Sequence, residues 1–150
     1  MSQSLSTILV HIVFSTKQRR LLIKPEIEKE LHAYLATIFK DCNSPALIIN
    51  GTSDHIHVLC QLAKTKTVSN VIEDVKKKSS KWIKSKGAEY EEFYWQNGYG
   101  AFSIGNSQVP AVRKYIEEQK EHHMKKSFQE ELLEFLRLYE VQYDERYLWD

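Results

Sequence analysis

Two histidines stand two residues apart in the run Asp54-His55-Ile56-His57-Val58-Leu59-Cys60. On a strand that spacing projects both imidazoles from one face, roughly 7 Å apart, so both can reach one metal ion. Ile56 and Val58 then turn into a core and make the strand a rigid mount. In a chain with six histidines such a pair, taken alone, is more often packed or solvated than ligating. Asp54 either orients one ring from behind or is an ordinary turn aspartate.

A second pair raises the weight of the first. Tyr115 and Gln119, at i and i+4, share a helical face beside the apolar stripe of Val109, Val112 and Ile116. A phenol that ionises near pH ~10 is a poor nucleophile, and a nearby cation both favours the phenolate and polarises the electrophile. Two imidazoles and an amide oxygen would hold such a cation and leave positions open to substrate oxygens. His122, at i+7 from Tyr115, either assists proton transfer or, with His123, sits at a helix C-terminus where positive charge is favoured.

The elements that must carry these groups are legible from periodicity. Leu5 to Ser15 has the β-branched composition of a buried strand. Pro25 opens a helix whose Ile27, Leu31, Leu35, Ile38 and Phe39 share one face. Ala46 to Ile49 and His55 to Leu62 read as a hairpin about the turn Asn50-Gly51-Thr52-Ser53-Asp54. Thr67 caps a second helix with Val68, Val71, Ile72, Val75 and Trp82 as its stripe. Phe93 to Ile104, interrupted by Asn97-Gly98 and Gly100, is a bulged strand or a tight hairpin. Pro110 starts a third helix running to about Lys125, and Ser127 with Glu130 forms a capping box for a C-terminal helix with Phe128, Leu132, Phe135, Leu136 and Tyr139 inward. The order predicts an α+β fold of the split βαβ type, an antiparallel sheet with helices packed on it, over a single domain spanning residues 1–150.

Composition narrows the class. Hydrophobic residues at 42%, charged residues at 27%, three prolines and five glycines describe a globular chain without long linkers. Cys42 and Cys60 lack zinc-site clustering, and the N-terminal MSQSLSTILV has no signal-peptide pattern, so a reducing, cytoplasmic setting is expected. No apolar run approaches the ~20 residues that span a bilayer. The net charge of +1 hides an asymmetry: Lys64 to Lys86 holds eight lysines against Glu73 and Asp74, whereas Glu117 to Asp150 holds ten acids against five bases. A polyanion would meet the first segment, with Lys77, Lys78 and Lys81 as phosphate contacts and Arg19 and Arg20 as weaker ones. Tyr94, Trp95, Tyr99 and Phe102 are either core or, less often for strand aromatics, platforms for unpaired bases.

The order of these features, His-hydrophobic-His on a strand, a basic helix, the segment Trp95-Gln96-Asn97-Gly98-Tyr99-Gly100-Ala101-Phe102-Ser103, then Tyr115-Ile116-x-x-Gln119-x-x-His122-His123, resembles the single-tyrosine HUH transposases of the 200/605 group of insertion sequences. The resemblance spans nearly the whole chain. It implies a dimeric, ferredoxin-like domain that cuts and rejoins hairpin-bearing single-stranded DNA with a divalent ion, Mg2+ or Mn2+. By the same resemblance His55 and His57 are the metal pair, Gln119 the third ligand and Tyr115 the nucleophile, forming a 5′-phosphotyrosine. The helix with Tyr115 and Gln119 would then cross to a partner subunit, making each site composite in a homodimer. Two other readings are a non-mobile relative acting on repeat or origin DNA, and a nucleic-acid binding module without catalysis.

Overall fold

Alternation along the strands sets the architecture. Leu9–Ser15 forms β1, Ala46–Gly51 β2, His55–Gln61 β3 and Gly100–Ile104 β4. In the computed structural model, which describes residues 2–150, they make one antiparallel sheet in the order β2-β3-β1-β4. With α1 (Pro25–Asp41) between β1 and β2, and α2 (Val68–Lys84) between β3 and β4, this is the ferredoxin-like α+β arrangement expected from the sequence.

Val10, Ile12 and Phe14 of β1 and Ile56, Val58 and Cys60 of β3 belong to the larger core, which α1 closes with Leu31, Leu35 and Phe39 and α2 with Val71, Val75 and Ile83. The alternate residues face the other way. There the last third of the chain covers them: α3 (Val109–Glu117), the single turn α4 (Gln119–His122), α5 (Phe128–Leu138) and the short α6 (Glu145–Leu148). Phe128, Leu132 and Leu136 of α5 pack on Val13 and Phe102, while Ile116 of α3 joins Leu9, Leu59 and Ile104. The central strand β1 is therefore buried on both faces, which is why it reads as an almost continuous apolar run.

Several boundaries differ from the sequence reading, β2 for one running on to Gly51. β1 begins at Leu9 instead of Leu5, because its neighbours end at Gln61 and Ile104 opposite Leu9 and leave Leu5 without a partner strand, 85% exposed. Of the segment Phe93 to Ile104 only Gly100–Ile104 is a strand: Trp95 makes an isolated bridge to Thr16, the chain loops out through Gly98 at φ 85°, and pairing resumes with Gly100 opposite Val13. The third helix stops at Glu117 and restarts at Gln119. Asn50 Nδ2 donates to the carbonyls of Ile116 at 3.0 Å and Glu117 at 3.1 Å, satisfying groups that a continuous helix would have used itself. Among the described residues no helix is long and apolar enough to cross a membrane.

Candidate active site

The β2–β3 hairpin is the mount for the histidine pair. Gly51 is required there by a close approach, since a Cβ would lie 2.1 Å from the carbonyl oxygen of His55. His55 and His57 then project from the face opposite the larger core, each 0% exposed. Behind His55, Asp54 Oδ1 accepts from Nδ1 at 2.7 Å and also from the Thr52 hydroxyl at 2.9 Å. A neutral ring that gives its Nδ1–H to Asp54 offers only a lone pair at Nε2. That atom faces the side-chain oxygen of Gln119 at 2.9 Å, with the amide nitrogen of Gln119 donating to Glu131 Oε2 at 3.2 Å. Two acceptors thus oppose each other across a gap that a proton or a cation must bridge.

His57 is held from both sides. Its Nδ1 lies 2.8 Å from His11 Nε2 and its Nε2 2.7 Å from Glu131 Oε1. Tyr115, half-buried on α3, donates its hydroxyl to the second oxygen of the same carboxylate. Its ring stacks on His122, with centroids 4.5 Å apart. His123 enters the cluster more directly: its ring lies 4.3 Å from that of His55, and its Nε2 is 3.1 Å from Glu131 Oε2, ion-pair reach although poorly aligned for a hydrogen bond.

Burial governs the electrostatics. It pushes the His57 imidazole down to about 4 against the raising effect of Glu131, and, with His57 alongside, pushes His11 down to about 3. Burial would raise the Glu131 carboxyl, but contacts from His123, His57 and Tyr115 outweigh it and hold the group well below the usual carboxylate range. Burial and then the adjoining carboxylate drive the Tyr115 phenol well above its ordinary value. An ionised phenol at this position therefore requires added positive charge.

The donor set fits a divalent ion. Ligand atoms of His55, His57, His123 and Glu131 all lie within 4.8 Å of one another, a mix of imidazole nitrogen and carboxylate oxygen able to hold a divalent ion. Beside the cluster opens a cavity of about 480 Å3 lined by Glu28, Thr52, Asp54, Lys120, His123 and Lys126 among others, an approach of mixed charge to the buried groups.

The fold brings together His55, His57, Tyr115 and Gln119 within one chain. Lys77, Lys78 and Lys81 are exposed on α2, in the helix layer on the opposite face of the sheet from the histidines. Arg20 is exposed near Glu92, whereas Arg19 is engaged by the Trp149 carbonyl at 3.3 Å and lies over its ring. Trp95 and Phe102 are core, and Tyr94 and Tyr99 are 50% and 42% exposed. Sequence reasoning missed His11 and Glu131. Glu131 had a readable signal: it occupies the i+3 position of the stripe that starts at Phe128 and continues through Leu132 and Phe135, a charge where an apolar residue belongs.

The family model described as "Transposase IS200 like" matches residues 4–119. Two solved structures share the fold. One is a candidate transposase from Deinococcus radiodurans R1, 17% identical with a TM-score of 0.61, covering 79% of this chain and 98% of that one. The other is a REP-associated tyrosine transposase bound to a REP hairpin, 15% identical with a TM-score of 0.60, covering 82% of this chain and 74% of that one. No curated protein shows a significant match to the chain.

Proposed function

Because this chain belongs to the IS200-like transposase family, we propose that it cuts and rejoins single-stranded DNA at hairpin-bearing ends, with Tyr115 as nucleophile and His55, His57 and Gln119 as ligands of a divalent ion. The observation that carries this is the convergence of the Tyr115 hydroxyl, two imidazoles and the Gln119 amide on one buried carboxylate-lined cluster, mounted on β3 and on the α3–α4 segment.

In the reaction proposed, Tyr115 Oη attacks the scissile phosphorus and the bond to the 3′-oxygen breaks. The 3′-oxygen leaves as a hydroxyl once protonated, and the strand remains as a 5′-phosphotyrosine. The new ester retains the energy of the old, so a 3′-hydroxyl from another strand can reverse the step and join without a nucleotide cofactor. When bound, a divalent ion would supply electrophilic polarisation of the phosphate and stabilise the phenolate. The chain's own residues set the geometry: Asp54 fixes the tautomer of His55, His11 steadies His57, and Glu131 Oε2 receives the hydroxyl proton of Tyr115 in a hydrogen bond.

We assign phosphate contacts to Lys77, Lys78, Lys81 and Arg20, whose side chains are exposed, with Arg19 secondary because Trp149 already engages it. A hairpin stem on α2 and a cleavage site on the far face require the strand to pass an edge of the sheet. Tyr99 is exposed for stacking on an unpaired base, whereas the Tyr94 ring already lies under Lys84 Nζ at 3.9 Å. The second proposed partner is another copy of the chain: exchange of α3 and α4 between copies would rebuild the same set of side chains that one chain assembles in cis.

The test is a covalent adduct. Labelled single-stranded DNA carrying a hairpin, incubated with the protein and Mn2+, should give a complex that survives denaturation. Failure over a wide panel of hairpins and flanks would remove the catalytic reading and leave a binding module.

A further inference from the structure

Glu131 lies outside the residues that the family model matches, yet it is the centre of the cluster. It is 1% exposed. Oε1 is 2.7 Å from His57 Nε2 and 3.6 Å from His55 Nε2, while Oε2 accepts from the Tyr115 hydroxyl and, at 3.2 Å, from Gln119 Nε2. Oε2 also lies 3.1 Å from His123 Nε2, so Oε1 faces the histidine pair of β3 while Oε2 faces Tyr115, Gln119 and His123.

A carboxylate placed on the apolar stripe of α5 costs several kcal/mol unless a counter-charge meets it. His123, 3.1 Å from Oε2, meets only that oxygen of the carboxylate, and His55 and His57, which must be unprotonated to ligate an ion, cannot serve as that counter-charge in the loaded state. A divalent cation between the imidazoles can. Conversely, imidazoles and an amide bring no negative charge to the ion, and Glu131 is the one anionic member of the converging donor group.

We propose that Glu131 is an additional ligand of the metal through Oε1 and, through Oε2, the residue that holds the Tyr115 hydroxyl beside the ion. A single carboxylate then keeps nucleophile and metal in register, and α5 is part of the active site instead of a cover for it. The inference rests on the metal-site reading given above.

The test is Mn2+ binding by the full chain without DNA, followed by loss of the free-ion signal in electron paramagnetic resonance. Glu131→Gln, which keeps size and hydrogen bonding but removes the charge, should weaken binding about tenfold or more. Tyr115→Phe should stay within about twofold of the unaltered chain. Binding by Glu131→Gln as tight as, or tighter than, that of the unaltered chain would overturn the proposal and make the carboxylate a plug that the ion displaces. Melting of the metal-free variants checks that each is folded. Should Glu131→Gln not fold, water-proton relaxation of the unaltered Mn2+ complex decides: His55, His57, Gln119 and Glu131 leave an octahedral ion about two water positions, and three or more would refute Glu131 as a ligand. Absence of Mn2+ binding by the unaltered chain, together with absence of the DNA adduct, would instead sink the metal-site reading beneath it.

Discussion

His11 Nε2 lies 2.8 Å from His57 Nδ1, with both rings buried. While His57 gives its Nε2–H to Glu131, a neutral ring must accept at Nδ1, so His11 is the donor. Once Nε2 carries a metal, the proton belongs on Nδ1 and His11 becomes the acceptor. The two tautomers are tied, and His11 sets the basicity and aim of His57 without touching the ion. Replacing His11→Leu should weaken Mn2+ binding about ten- to a hundredfold, read by competition with a metal indicator. Unchanged affinity would reduce His11 to packing.

Tyr115→Phe removes the hydroxyl and little else. The covalent adduct should vanish while affinity for hairpin DNA stays within about a factor of two, measured by gel shift beside the denaturing assay. Surviving cleavage would mean that another group is the nucleophile.

Stability of the metal-free chain should fall on acidification between pH 6.5 and about 3. The folded values of His57 and His11 lie below their ordinary 6.5, at about 4 and about 3. As pH falls, the unfolded chain takes up these protons first; the stabilisation is complete above 6.5 and is lost toward the folded values. Burial lowers the value of His123 but Glu131 raises it by more, so His123 opposes the trend in part. A net loss on the order of a few kcal/mol is expected, and urea midpoints at several pH values would show it. A flat profile would contradict the burial of the pair.

Gly51→Ala tests the mount. The added Cβ would sit 2.1 Å from a backbone oxygen at the first residue of β3, so the hairpin must shift, at about 3 kcal/mol or more. Mn2+ binding should fall with it, because the displaced residue is His55. A variant with an unchanged urea midpoint would disprove the close approach.

Substituting Lys77, Lys78 and Lys81 together by Ala should reduce the slope of log affinity against log salt by about 2 to 3, at ~0.7–0.9 for each phosphate no longer neutralised. Adduct formation at saturating DNA should be unaffected. Titrations at several salt concentrations read this directly, and an unchanged slope would place the DNA elsewhere.

Much of this organisation was visible in the order of residues. The alternation in β1 and β3, the Pro25 and Thr67 helix starts and the Ser127–Glu130 capping box each rest on a few neighbouring residues, and each appears in the structure. The histidine and tyrosine pairs were legible for the same reason. What escaped depends on distant partners. Glu131 meets His57 only because α5 folds back over β3, and the break at Glu118 depends on Asn50, which periodicity within the helix cannot report. The lysines read correctly as an exposed face, but which side of the sheet they occupy follows from topology alone.

That break makes the support for Tyr115 and Gln119 jointed. The nine residues of α3 form a short lever with Tyr115 beside its pivot, and Asn50 latches it there by the carbonyls of Ile116 and Glu117. Releasing the latch gives up two hydrogen bonds, about 1 kcal/mol each. A strand esterified to Tyr115 could therefore swing with the lever while the amide of Gln119, on the other side of the joint, stays with the histidines.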